Sequence, residues 1–262
     1  MKPDYYLYRK AWRFAGAPHE EPKLTKEACK VLLKQGGLLV RNTYGFDGQK
    51  ETNFWYVIKD RFGGMEELKP RVRNKIRHAQ NAFGFQRIDQ KWLKEKGYPI
   101  IAETYADYTV SDRTMNEAVF KGYLSEHQFD CWGVFDKESA DLVGFCCVRR
   151  WTDSCEYDLS GMMTHYKRNG SYPYYGLYHA MNEYYLGEQG FKYVSDGTRS
   201  ITEHSNIHEF LIQNFNFRKA YCQLLVQYNW WMKIVVTMLF PFRKLIKMPK
   251  VKAILHMESM TH

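Results

Sequence analysis

Apolar positions along this chain alternate in some stretches and recur at helical spacing in others, and the switches between the two periods outline the elements. "GGLLVRNTYGF" and "NFWYVIKD" read as strands on either side of the turn-forming "DGQKET", which predicts a hairpin. In "MEELKPRVRNKIRHAQNAFGF", Val72, Ile76 and Ala79 share one helical face, with Pro70 suited to the first turn. Further helices are predicted over "WLKEKG" and over "TMNEAVFKGYLSEHQ", where Thr114 and Glu117 have capping-box spacing. From Phe129 the pattern becomes strand, acidic turn, strand, and "SCEYDLSGMM" adds a third strand, which together make an antiparallel meander. Leu177, Met181 and Tyr184 form the apolar stripe of the next helix, closed by Gly190. "FKYVSDGT" is then a strand running parallel to its predecessor, because a helical crossover joins them. A short helix carrying Ile207, Phe210 and Leu211 precedes the last strand, "RKAYCQLLVQY".

Composition narrows the classes. The 262 residues allow one large domain or two small ones. The 16% aromatic share exceeds what a plain scaffold needs and favours stacking and shaped pockets. A formal charge of +9 points to an anionic partner, whether a phosphorylated cofactor, a nucleic acid or an acidic membrane. The six cysteines contain no C-x-x-C pair, so neither a zinc site nor a disulfide framework is expected, and no metal is called for. The N-terminus lacks the apolar core of a signal peptide, which makes a reduced, cytoplasmic protein the default. "WWMKIVVTMLFPF" is the most apolar run, but Lys233 and Pro241 leave it short of a membrane-spanning helix.

Strand, strand, strand, helix, strand, helix, strand from Phe129 to Tyr228 resembles the GNAT acyltransferase superfamily. The likeness is closest to its Fem-type branch, since "RVRNKIRHAQNAFGF" is similar to that branch's Arg-x-x-x-Arg helix followed by Gly. "FLIQNFNFRKAY" is similar to its Phe-rich ending before Arg-Lys. The resemblance implies an α/β fold with a GNAT-like mixed sheet and helices on both faces, in which the third meander strand and the parallel strand splay apart. Three segments are expected: 1–100 as a hairpin-and-helix extension packed on the main domain, 101–228 as the acyltransferase domain, and 229–262 as an amphipathic basic tail.

The same resemblance implies an acetyl-CoA or other acyl-CoA donor lying in the notch, on the strand edge Gly161, Met162 and Met163. The loop Lys167, Arg168, Asn169, Gly170, Ser171 and Tyr172 would then wrap the pyrophosphate. Gly170 permits close backbone approach and the basic pair supplies charge. Tyr172 departs from the family's small residue and could narrow the channel. Fem-type enzymes, which take aminoacyl groups from tRNA, are similarly degenerate at this loop, so charged tRNA is an alternative donor.

Acyl transfer to an amine needs a base, an oxyanion donor and an acid for the leaving group. Glu156 and Asp158 alternate on their strand and so share a face, which is either the site or solvent. Asp196 sits at the carboxyl end of the parallel strand, where open sheets place ligands, and reads equally as an Asp-Gly turn. His204 and Asn206 lie across the expected mouth as a base or acid and as a polar hook, with a surface histidine and an N-cap as the plain alternatives. The expected acceptor is a small-molecule or cell-envelope amine. Trp230, Trp231, Ile234, Val235 and Met238, followed by Arg243, Lys244, Lys247, Lys250 and Lys252, have the pattern of an anchor on anionic membrane; the alternative cover for that face is the domain itself or a second subunit in a homodimer.

Overall fold

The computed structural model describes residues 5–8, 10–22, 24–106, 115–201 and 207–261. Its elements in chain order begin with β1 (Tyr5–Tyr8), β2 (Ala11–Phe14), α1 (Lys26–Lys34), β3 (Leu39–Gly48) and β4 (Phe54–Lys59). A 3-10 turn at Gly64–Glu67 leads into α2 (Pro70–Ala82), β5 (Phe83–Ile88), α3 (Gln90–Lys96), α4 (Tyr98–Ala106) and α5 (Glu117–Glu126). The centre is β6 (Asp130–Asp136), β7 (Leu142–Arg150), β8 (Ser154–Met162), α6 (Thr164–Arg168) and α7 (Pro173–Asn182), which continues as a π-helical turn, Glu183–Glu188. Then come β9 (Tyr193–Thr198), α8 (Ile207–Phe215), β10 (Arg218–Tyr228), α9 (Trp230–Leu239) and α10 (Pro249–Ser259).

The chain divides into two compact units. One comprises residues 1–57, 198–205 and 219–262, and the other residues 58–197 and 206–218. In the first unit the strand order is β1-β2-β3-β10-β4. β10 therefore lies between β3 and β4, and the hairpin expected of those two strands does not form. The reason lies in β10 itself, whose buried Ala220, Cys222 and Leu224 alternate with exposed Lys219, Gln223 and Leu225. That gives it one apolar face along seven register pairs with β3, running antiparallel. Thr52 pegs the connection, its Oγ1 lying 2.7 Å from the carbonyl oxygens of both Phe54 and Cys222.

The second unit carries the order β9-β8-β7-β6-β5. β6, β7 and β8 form the expected antiparallel meander, and β5, unforeseen, adds an antiparallel edge to β6. Val72, Ile76 and Ala79 are the buried stripe of α2, as the spacing predicts. α5 starts at Glu117 rather than earlier because Asn116 caps it, its side chain accepting from the Val119 amide 2.9 Å away; Thr114 is outside the described residues. Leu177 and Met181 are buried on α7, but the third apolar position is Tyr185 and not Tyr184. The π-helical turn inserts one residue into the helical phase there, which rotates Tyr185 inward against Trp132 and Phe191.

α7 approaches β5 so closely at Gly176 that an added β-carbon would sit 2.1 Å from the Phe85 ring. Gly176→Ala should therefore destabilise the protein by roughly 1–3 kcal/mol through overpacking, although in an exposed helix the same change stabilises by up to about 1 kcal/mol. The midpoint of urea unfolding measures this, and a stabilised variant would refute the close approach.

Candidate active site

Parallel pairing between β8 and β9 lasts for three residue pairs, Ser154 with Tyr193, Cys155 with Val194 and Glu156 with Ser195. β8 then continues alone on that edge to Met162, and the two strands form a fork. Two local features open it. On β8 the register against β7 slips between Cys147 and Val148, so that Asp158 is the extra residue of a bulge, which bends the strand. On β9, Gly197 adopts φ +83, a conformation natural only to glycine, and turns the chain just past Asp196. Asp196 is thus the first residue beyond the last pair.

Its surroundings are unusual for a carboxylate. The Asp196 side chain is 9% exposed, and His208 of α8 brings Nε2 to 3.4 Å from Oδ2 and to 3.1 Å from the Asp196 main-chain oxygen. A carbonyl oxygen only accepts, so Nε2 carries the hydrogen. Burial pushes the Asp196 pKa well up, with the nearby Glu156 charge adding to the effect. Burial also lowers the pKa of His208, against the pull of its bond to the Asp196 carbonyl, and keeps the ring neutral. Glu156, the last paired residue of β8, holds its carboxylate over Gly197, 3.9 Å from where a β-carbon would be.

Asp158 is differently employed. Arg149 reaches its Oδ2 from Nε at 3.1 Å and from a terminal nitrogen at 2.8 Å, while the Tyr123 hydroxyl of α5 donates to Oδ1. Both charges are largely buried, 16% and 12% exposed, so this ion pair holds the bulge in shape. Between the two acids Tyr157 points to α7, donating from its hydroxyl to Asn182 at 2.8 Å and packing on Tyr178. Phe210, Phe215 and Phe217, the Phe-rich ending noted in the sequence, complete this aromatic wall.

The far end of the fork is built by α4, which the sequence reading missed. Met163 gives its amide to Val143 of β7, so the Met162 amide points to the opposite edge, and there Thr104 Oγ1 accepts from it at 3.0 Å. The same hydroxyl lies 3.1 Å from the Met162 carbonyl, and Ile100 and Ile101 pack at Gly161. Beyond it, α6 inserts a helical turn carrying Lys167 and Arg168. In the loop that follows, Gly170 has φ +80 and open space around it, but the Ser171 amide is bonded to Asn169 Oδ1 at 3.0 Å. Tyr172 adopts the left-handed conformation, φ 57, before Pro173 starts α7. Its ring turns onto α2 rather than into the fork, meeting His78 edge-on and lying under Lys75 Nζ at 4.8 Å. Arg71, Asn74, Lys75, His78 and Tyr172 line an open depression of about 590 Å³.

The structure therefore brings together Glu156 and Asp196 of the sequence candidates, sets Asp158 apart in an ion pair, and adds His208 and Thr104. His204 and Asn206 lie outside the described residues. His208 carried a faint sequence signal, a histidine inside the apolar stripe of Ile207, Phe210 and Leu211.

Similarity to solved structures resolves the fold. FemX superposes on 90% of this chain and 84% of its own with a TM-score of 0.55 at 10% identity. The C-terminal domain of a protein assigned as a lysylphosphatidylglycerol synthetase from Agrobacterium fabrum does so at 0.53 and 13%, covering 89% of this chain and 83% of that one. L-PGS from Bacillus licheniformis gives 0.50 and 10%, over 98% and 85%. The fold is GNAT-like, of the Fem-type form. No protein-family model matches the sequence, and no curated protein matches it. Within this GNAT-like frame the fork between β8 and β9 is the feature that the resemblance in the sequence implied.

Two outcomes separate the acids. A carboxyl whose pKa is raised by folding binds its proton more tightly in the native state, so stability falls as pH rises from the ordinary carboxylate range towards the raised value. Asp196→Asn should remove that loss, leaving the variant at least as stable as the parent at neutral pH, and thermal melts across the pH range will show it. Asp158→Ala should instead cost about 3–5 kcal/mol, because Arg149 is left buried without its partner. Equal melting temperatures for the Asp158 variant and the parent would exclude that pairing.

Proposed function

We propose that this protein is an acyl-group transferase that moves an aminoacyl group from its tRNA ester to an amine acceptor, with Asp196 as the base. The observation that carries the reading is the fork, with a nearly buried carboxylate at its root. The acceptor amine, as the neutral species, attacks the ester carbonyl; a carbon–nitrogen bond forms and the carbon–oxygen bond to the ribose breaks. Asp196 takes the proton the amine sheds and returns it to the departing ribose oxygen. Its raised pKa makes it a stronger base than an exposed carboxylate, and His208, whose Nε2–H bonds the Asp196 main-chain oxygen, holds the residue in place beside it.

Three features favour a polyanionic carrier over coenzyme A. Thr104 already occupies the Met162 edge on which pantetheine would lie. Asn169 takes the Ser171 amide that would face a pyrophosphate. The basic depression beside Tyr172 is open and lies along α2, whose Arg71, Lys75 and His78 suit a phosphodiester backbone. The solved structures that match this chain over about nine tenths of its length include FemX and the C-terminal domain of a protein assigned as a lysylphosphatidylglycerol synthetase, and the latter's name describes aminoacylation of a lipid. A second reading, transfer from acyl-CoA, is favoured by the open space at Gly170.

The two donors are separable by titration. Charged tRNA is expected to bind with affinity that falls steeply with salt, and Arg71→Ala with Lys75→Ala should flatten the log–log slope by up to about 2. Micromolar heat with acetyl-CoA and none with tRNA would move the assignment to the thioester. In either case Asp196→Asn should lower turnover by about 10²–10⁴ while substrate still binds.

A further inference from the structure

α9 packs on α10 through Met232, Val236 and Leu255, with Leu239, Phe240 and Ile254 around them. This stripe uses only one side of the helix. On the other side Trp230 is 75% exposed and Met238 67%, and Trp231, Ile234 and Val235 are also exposed. The chain that follows α9 exposes three further large apolar side chains, Phe242, Leu245 (77% exposed) and Met248. Single exposed apolar side chains are ordinary, but a run of this size within some twenty residues is not.

Charge identifies what covers it. Between Glu209 and Glu258 the chain contains no acidic residue, while Lys233, Arg243, Lys244, Lys247, Lys250 and Lys252 fall within or just after the apolar run. All five of these lysines are exposed. A second copy of the chain related by a two-fold axis would set this cationic rim against itself, which is unfavourable. An anionic bilayer offers both halves of the match, acyl chains for the apolar residues and phosphates for the lysines, and tryptophan is favoured at that boundary. Among the described residues no helix is long and apolar enough to cross a membrane. α9 has ten residues and one fully apolar side, the dimensions of a helix lying in the headgroup region.

We propose that the exposed side of α9 and the chain through Met248 form a docking surface for anionic phospholipid bilayers. The surface stands independently of the transfer chemistry, and its test uses no substrate. The full chain is floated with vesicles of phosphatidylcholine alone and of phosphatidylcholine with phosphatidylglycerol, at low and high salt. Flotation is expected with the anionic vesicles, weakened but not abolished by salt. Ile234→Glu with Met238→Glu should reduce it about tenfold or more, as should Lys244→Glu with Lys247→Glu. Because all four positions are exposed, the variants should melt with the parent, and the melting curves verify this. Equal flotation with both vesicle types, or no effect of either double variant, would overturn the proposal. So would light scattering that finds a dimer which Ile234→Glu with Met238→Glu converts to monomer, since a second copy would then be the occupant.

Discussion

A sheet gains stability from every paired amide, so a sheet that gives up pairing in its middle needs a compensating cause. In this protein β8 and β9 share three register pairs, and Asp196 is the first residue past the point where the pairing stops. The bulge at Asp158 and the left-handed Gly197 act on opposite strands at nearly the same level, so the strands part within one residue. Part of the cost of the unmade ladder is met by side chains, with Thr104 bonding the backbone at Met162 and Tyr157 packed against Tyr178 and Phe217.

The two aspartates flanking this opening show how one residue type is given different work by its surroundings. Asp158 receives a guanidinium and a phenol, so its charge is balanced and its geometry fixed. Asp196 receives a neutral imidazole and a second carboxylate, so its charge is opposed by burial and by repulsion alike. The first arrangement stabilises the fold. The second costs stability and raises the carboxyl's affinity for a proton, the combination on which the proposed role of Asp196 rests.

Much of this was legible in the sequence. Alternation from Phe129 onward defined the meander, and Asp196 was visible as an acid at the end of a parallel strand. What failed was pairing and phase. β3 and β4 looked like a hairpin because they are neighbours in sequence, yet β10, 170 residues away, offers a longer matched face. α4 is short, nine residues, and its buried Ile100, Ile101 and Thr104 do not make the wide apolar stripe that marks a helix in sequence. Thr104 acts through Met162, 58 residues along the chain, while Arg149 and His208 meet Asp158 and Asp196 only 9 and 12 residues away, but across a strand bulge and a strand-to-helix connection whose geometry a linear reading does not supply.

The π-helical turn after α7 carries a consequence for how this chain tolerates change. Widening one turn accommodates a single extra residue without breaking the helix, and in doing so it swings every later side chain by about 100°. Tyr185 owes its buried place, and its contact with Trp132, to that added residue. Removing one residue from Glu183–Glu188 would restore an ordinary helix and at the same time present the wrong tyrosine to β6. Length variation, which loops absorb freely, is therefore closed to this segment even though its outer surface is exposed.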